Sequence, residues 1–313
     1  YGTNVIAPVM PIAMQRKLTL MGLFGLNVNS KFKYDRYFQI MPAGPEPALG
    51  WSQGFFEAAM GLTPKPQTIA LVGADVEYSA MALEGARAHA KRLGLKVVYD
   101  KTYPEKTVDF SPILRAIQAT SPDLIFAAPY PPDSAGIVRS ANEVGLKTRM
   151  FGGGLVGPQF AALKSQLGPL LNGMVNYEFY VPDLNQQFPS LQLFLAKYQG
   201  RAAKEGVDPL GFYLPPYAYA MMQVLEQAIA RVGSLDQEKL AAYMHKAEFE
   251  TFVGKVRFAQ NGEWAASRVL MVQYRGIVGN DIEQFRQPGK ATVLYPKEFR
   301  TGDVKAPFHE NRK

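Results

Sequence analysis

From Thr68 to Gly157 the apolar positions fall into alternating strand and helix signatures. Thr68–Gly73 is a short unbroken apolar run. Leu83, Ala86, Ala90 and Leu93 then mark one helical stripe, which Gly94 ends. Leu95–Tyr99 reads as a second strand. Asp109 is a cap for the next helix, whose inward residues are Ile113, Leu114 and Ile117, and Asp123–Ala128 follows as a third strand. Asp133 opens a helix carrying Val138, Ala141 and Val144, Gly145 closes it, and Thr148–Gly152 is the fourth strand. Strands without apolar–polar alternation are buried on both faces, so the expectation is a parallel sheet with helices on either side. Ligands of such sheets sit beyond the carboxyl ends of the strands, where the winding reverses. That singles out Ala74–Ser79, Pro129–Asp133 and Gly153–Gly157.

Before this stretch, Val5, Ile6, Val9, Met10 and Ala13 keep helical spacing, with Pro8 and Pro11 interrupting it. Leu18–Phe24 reads as a strand, Gly25–Asn27 as its turn, and Arg36–Met41 as another extended piece. Pro42–Pro47 has the composition of a crossover, and Trp51–Met60 is a helix. A doubly wound domain should not open on a helix, so an amino-terminal strand–helix–strand portion is expected upstream of Tyr1. After the central stretch come a short helix (Phe160–Leu167) and a strand (Met174–Tyr180), then a second crossover at Val181–Pro189. Leu191–Glu205, Tyr217–Val232 and Ser234–Lys246 are helical. Phe252–Phe258 and Val269–Tyr274 read as strands about Gln260-Asn261-Gly262, a hairpin-type turn. From Phe285 onward periodicity fades. The expected fold class is α/β, two doubly wound parallel-sheet lobes joined by crossover hinge strands. Residues 1–45 with 182–268 form one lobe, and 46–181 with 269–313 the other.

The chain has 313 residues, enough for two cores. No run approaches the ~20 apolar residues of a membrane span, and the opening residues lack a signal-peptide pattern. The absence of cysteine excludes disulfides, thiolate metal sites and a cysteine nucleophile, and suits an oxidising compartment. Of the net charge of +7, +4 lies from Arg286 onward, where seven Lys/Arg face three Asp/Glu. With no basic stripe carrying interleaved aromatics elsewhere, this is a solvated basic tail and no nucleic-acid partner is expected.

Gly152-Gly153-Gly154-Leu155-Val156-Gly157 matches G-x-G-x-x-G, and Glu178 ends the next strand, where that motif expects a ribose-binding acid, so an NAD(P)-dependent oxidoreductase competes. Against it, Pro158 follows the last glycine, the next helix is short, and three complete units precede a motif that normally sits on the first. His89 lies on a polar helix face, His245 late in a helix and His309 in the tail. No G-x-S-x-G elbow or metal-ligand histidine spacing accompanies them. Tyr78 and Tyr130 both follow strands at the expected ligand edge, and read either as ligand contacts or as core aromatics. The Tyr177–Tyr180 and Phe212–Tyr219 clusters read as packing, one of them near a hinge.

Several fragments in order carry a resemblance. They are Ala7-Pro8, Asp75-Val76-Glu77-Tyr78, Asp109-Phe110-Ser111, Asn142-Glu143-Val144-Gly145-Leu146, Lys255-Val256-Arg257-Phe258 with Asn261-Gly262, and Tyr295–Gly302. On these the chain resembles the type I periplasmic solute-binding proteins of ABC transporters, in the branched-chain amino acid receptor group. The resemblance implies a non-enzymatic, cofactor-free, monomeric receptor outside the cytoplasm (periplasmic, or lipid-anchored). Such a receptor closes over a small carboxylate and docks on a membrane permease. A signalling sensor of the same fold stays open as an alternative. It implies a carboxylate held by main-chain N–H groups and hydroxyls at Thr3 and Asn4 and in the turn Gly25-Leu26-Asn27, where Leu26 replaces the threonine of many relatives. From the second lobe it implies Tyr78 and Tyr130. Where amino-acid receptors place an acid for the ligand's ammonium, this chain has Gly154, followed by Leu155. An unpaired buried ammonium costs about 3–5 kcal/mol, unless Asp75 or Glu77 reaches in. An aromatic or hydrophobic carboxylate without an amino group is therefore expected ahead of leucine-type amino acids, in the space that Gly154 frees.

Overall fold

A computed structural model describes residues 1–311. Helix α1 (Thr3–Gln15) leads to strands β1 (Leu20–Gly22) and β2 (Tyr37–Gln39), which pair in parallel around the short α2 (Asn29–Phe32). Ile6, Met10 and Ala13 point inward from α1 onto Val28, Tyr34 and Tyr37. The two prolines do not interrupt α1. Both lie on its exposed face, so the carbonyls they release at Asn4 and Ala7 meet water instead of an apolar core.

Helix α3 (Pro47–Met60) opens on a proline, whose missing N–H would have no partner in a first turn anyway. The central stretch then runs β3 (Thr68–Ala74), α4 (Glu77–Arg92), β4 (Lys96–Tyr103), α5 (Ser111–Ala119), β5 (Leu124–Ala128), α6 (Pro131–Glu143) and β6 (Met150–Gly153). It continues through α7 (Ala161–Leu167) and β7 (Val175–Glu178) to α8 (Pro189–Glu205), α9 (Leu214–Val232) and α10 (Gln237–Met244). Strands β8 (Glu248–Thr251), β9 (Gly254–Arg257), β10 (Leu270–Tyr274) and β11 (Ala291–Tyr295) complete the chain.

The large sheet has seven strands in the order β11-β10-β7-β6-β5-β3-β4. Side chains of β3 and β5 alternate between two cores. Ile69, Leu71, Leu124 and Phe126 face α3 and α4, which supply Phe55, Phe56, Leu83 and Ala86. Ala70, Val72, Ile125 and Ala127 face the other layer, with Leu114, Ile117, Val138 and Ala141 of α5 and α6. This two-sided burial is what an unbroken apolar strand encodes. β3 has β4 on one side and β5 on the other, so the winding reverses at its carboxyl end.

Four further sequence expectations fail. β4 is not buried on both faces: it is the sheet edge, mostly exposed, and Lys96, Asp100 and Lys101 guard it against further pairing. The sheet is mixed, because β10 runs antiparallel to both β7 and β11. Asn261-Gly262 does not join two paired strands. β9 pairs back onto β8, while β10 enters the large sheet, and only an isolated bridge between Phe258 and Trp264 spans the turn. Finally, β11 forms within the aperiodic tail, since an edge strand with one paired side needs little sequence pattern.

Candidate ligand cleft

The carboxyl ends of β3, β5 and β7 face the start of α1 and the turn after β1. Phe24 and Asn27 in that turn adopt positive φ (58° and 54°). Buried Gln39 holds the turn with four hydrogen bonds. Its Oε1 accepts from Phe24 N (3.0 Å) and Met41 N (3.2 Å), and its Nε2 donates to Gly25 O (2.7 Å) and the Tyr37 hydroxyl (2.6 Å). Sequence reasoning passed over Gln39, because a lone glutamine on a short strand carries no signal of its own.

Between these walls lies a cavity of about 20 Å³ lined by Tyr1, Gly2, Thr3, Phe24, Leu26, Met41, Trp51, Tyr78, Tyr130, Val156, Tyr177 and Tyr213. That is room for one water molecule. None of the lining residues has an acidic or basic side chain. A larger groove of about 660 Å³ runs past Phe194, Tyr198, Arg201, Tyr219 and Phe252, on the outer side of α8 and α9. Size does not decide between them. The small cavity lies at the strand ends and collects buried polar groups, which is the signature of a binding site.

Of the residues proposed from sequence, Thr3, Leu26, Tyr78 and Tyr130 come together on this cavity. The Thr3 hydroxyl accepts from Leu26 N (3.0 Å), which leaves its own proton free to donate. Asn4 bridges the walls: its Oδ1 accepts from Tyr78 N (3.3 Å), and its N–H lies at the Tyr130 hydroxyl. Burial, ahead of the other causes, pushes the Tyr130 hydroxyl up to about 12 and the Tyr78 hydroxyl well above its ordinary range, so both stay neutral donors at physiological pH. Gly25 is buried in the turn, its carbonyl taken by Gln39, while Asn27 points its Nδ2 toward Met81 Sδ (3.7 Å), outside the cavity.

Gly154 and Leu155 do not line the cavity. The Tyr78 hydroxyl donates to Gly154 O at 2.6 Å, and Leu155 is fully buried in the second core. A Cβ at Gly154 would meet Ala127 O at 3.1 Å and Ala128 Cβ at 3.2 Å, so the backbone of β5 fills the space expected to be free. Asp75 is exposed and Glu77 pairs with Lys31, so neither supplies an acid to the cavity.

The glycine-rich turn is fully occupied by the protein itself. Gly154 N donates to Ala127 O, Leu155 N to Asn176 Oδ1, Val156 N to Pro129 O and Gly157 N to Ser134 Oγ. None of these amides faces outward to hold a pyrophosphate. Gly152 has φ 134°, and a Cβ there would sit 1.8 Å from Val175 O, so close strand packing is what requires it. Glu178, the ribose-acid candidate, is buried with Lys164 Nζ at 2.7 Å and the Tyr274 hydroxyl at 2.5 Å. His89 is buried rather than on a polar face. Its ring stacks on Phe56 and its Nε2 meets Leu49 O at 3.0 Å, because α4 packs that side against α3.

Three further cavity residues, Trp51, Tyr177 and Tyr213, escaped the sequence reading, two of them as members of clusters read as packing. These uncharged, mostly aromatic side chains line a cavity at the carboxyl ends of the strands of a doubly wound sheet. Residues 1–277 match the Periplasmic binding protein family. The chain belongs to that family and has the type I periplasmic binding protein fold. It is similar to the Leu/Ile/Val-binding protein homolog 7 of Brucella abortus (strain 2308), with 23% identity over 257 residues, 79% of this chain and 60% of that protein. It thus spans about 60% of the length of that curated relative. Its fold is similar to a leucine binding protein from Thermotoga maritima MSB8 (TM-score 0.70, 22% identity, 90% of this chain and 75% of that one). It is also similar to a solute binding protein from R. palustris in complex with benzoate (TM-score 0.71, 15% identity, 93% and 74%).

Proposed function

We propose that this protein is the extracytoplasmic solute receptor of an ABC importer. Its two lobes, 1–45 with 182–268 and 46–181 with 269–313, close over a small aromatic or hydrophobic carboxylate and present it to a membrane permease. The observation that carries the ligand class is the cavity lining: five tyrosines, Trp51 and Phe24, with no acidic side chain. An ammonium brought into that space has no counter-charge, at about 3–5 kcal/mol or more than a hundredfold in affinity. A carboxylate is served by the N–H of Thr3 and, in exchange for its contact with the Tyr130 hydroxyl, that of Asn4, at the positive end of the α1 dipole with no side-chain cap. The Thr3 hydroxyl, held toward the Gly25-Leu26-Asn27 turn by Leu26 N at 3.0 Å, adds its free proton, and Tyr78 and Tyr130 close from the other side. Gly154 takes part through its carbonyl, by fixing Tyr78. The benzoate carried by the R. palustris relative supports the same class.

A thermal-shift panel of benzoate, phenylacetate, 2-oxo acids, leucine and valine tests the reading. A ligand at 100 times its dissociation constant stabilises by about 2.7 kcal/mol. The expectation is a clear shift with at least one acid lacking an amino group and little with leucine or valine. Strong shifts with the amino acids alone would refute the ligand class.

A further inference from the structure

The chain passes between the two proposed lobes three times, and the crossings lie together. Ala43 bridges Ser267, and Pro42 O accepts from Arg268 N at 2.8 Å, so the first and third run side by side. The third leads into β10, which pairs with β7, the strand from which the second departs. In the sheet, β3 stands three strands from β7, about 14 Å at ordinary strand spacing. Helix α4, which follows β3, therefore meets the other lobe on the side of the cleft remote from the crossings. Contacts made there separate furthest when the lobes open about a hinge.

Three residues in the first two turns of α4 are held from across the cleft. The helix starts at Val76 without a side-chain cap of its own. The Tyr78 N–H, one of its orphan donors, is taken by Asn4 Oδ1 of α1 at 3.3 Å. Glu77 pairs with Lys31 of α2, and Met81 Sδ accepts from Asn27 Nδ2 at 3.7 Å. Asn4, Asn27 and Lys31 fall in one lobe, and Glu77, Tyr78 and Met81 in the other. Lys31, Glu77, Asn27 and Met81 are not among the residues that line the cavity.

We infer that these contacts form a closure latch, a helix cap supplied across the cleft by Asn4 and flanked by the Lys31–Glu77 ion pair. In an open form the Tyr78 N–H and both charges return to water, so the latch favours the closed form alone. It raises affinity without touching the ligand, because a binding-competent state populated in advance lowers the apparent dissociation constant. Asn4 contributes the larger share, since a helix cap outweighs an exposed ion pair. The inference rests on the two-lobe closure proposed above, and is independent of which ligand the cleft takes.

The chain has no cysteine, so Val108→Cys and Leu235→Cys, at positions 92% and 69% exposed on opposite lobes, take spin labels there alone. Double electron–electron resonance on the ligand-free labelled protein reads closed and open forms as two distances. Asn4→Ala, which keeps the main-chain N–H of Asn4, should lower the closed-to-open ratio about fivefold. Glu77→Gln should lower it about twofold, and that effect should vanish in about 1 M salt, which screens an exposed pair. Lys31→Glu should open the protein, and adding Glu77→Lys should close it again, a rescue that a general loss of stability would not give. Where the unsubstituted latch shows only the closed distance, the open one should appear in Asn4→Ala and Lys31→Glu. If two distances are present and neither variant moves their ratio, the latch is refuted and two-lobe closure stands. If every variant shows the same single distance, the lobes do not move as proposed and both readings fall.

Discussion

Glu263 offers a direct test of how burial sets ionisation in this fold. It is 1% exposed, and neither carboxylate oxygen has a hydrogen-bond partner among the described residues. Burial alone holds the carboxyl well above its ordinary value of 4.5, because the charged form would lose its hydration with nothing to replace it. The folded-state pKa is therefore raised above the unfolded one. The stability Glu263 contributes is fully present below pH 4.5 and is lost as the pH climbs toward the folded value. Within that window each pH unit costs about 1.4 kcal/mol. Glu263→Gln keeps the shape and removes the titration. At about pH 6, roughly 1.5 units above the ordinary value, the variant should lead by about 2 kcal/mol. Unfolding entropy of about 2.1 cal/mol/K per residue, taken over the whole chain, converts this into about 3 °C in Tm. Calorimetric melts of both proteins at about pH 4, 5 and 6 read the effect, which should be near zero at the acid end and grow steadily. A difference that stays flat with pH, or a wild type that melts higher at about pH 6, would show that Glu263 is ionised and partnered, and would refute the reasoning.

Other perturbations probe the cleft and its supports. Tyr78→Phe deletes the bond to Gly154 O and orphans a buried carbonyl, so a loss of about 1–3 kcal/mol is expected in denaturant unfolding; an unchanged midpoint would contradict it. Gly85→Ala drives a Cβ to 1.9 Å from Ala48 O, at the contact between α4 and α3. The helices must part, at about 1–3 kcal/mol, and a melt equal to wild type would show that they do not pack this closely. Burial, aided by the Arg92 charge, holds His89 below its ordinary 6.5. Its stabilising contribution is thus full above pH 6.5 and lost as the pH falls toward the folded value. His89→Gln should flatten that part of the Tm–pH curve, and an unaltered slope would exclude the residue as its source.

The fold was legible wherever one local pattern sufficed. The apolar runs read at 68–73 and 123–128 appear as β3 and β5, each within a residue of its expected bounds, and with the helical stripes of α4 and α6 they carry Tyr78 and Tyr130 to the cavity. The dinucleotide alternative was harder to dismiss from sequence, since G-x-G-x-x-G says nothing about whether its amides are already bonded. Only hydrogen bonds to Ala127, Pro129, Ser134 and Asn176, each from another segment, resolve it.

What the sequence by itself determined is therefore the doubly wound core and the placing of two of the cavity tyrosines just after its strands. Periodicity states which face of an element is apolar, and chain order in an α/β protein leaves few ways to stack those faces. What only the tertiary structure decided is the company each face keeps. Trp51 and Tyr177 are far apart in the chain, and share a cavity because α3 crosses β7. β4 becomes an edge, β10 turns antiparallel, and β11 forms in a tail without pattern, because strand partners are chosen by long-range pairing. The backbone of β5 fills the space beside Gly154, while Glu263 and His89 are buried by elements remote from them in sequence. Burial and hydrogen-bond saturation are properties of contacts across the chain, and no local window of residues contains them.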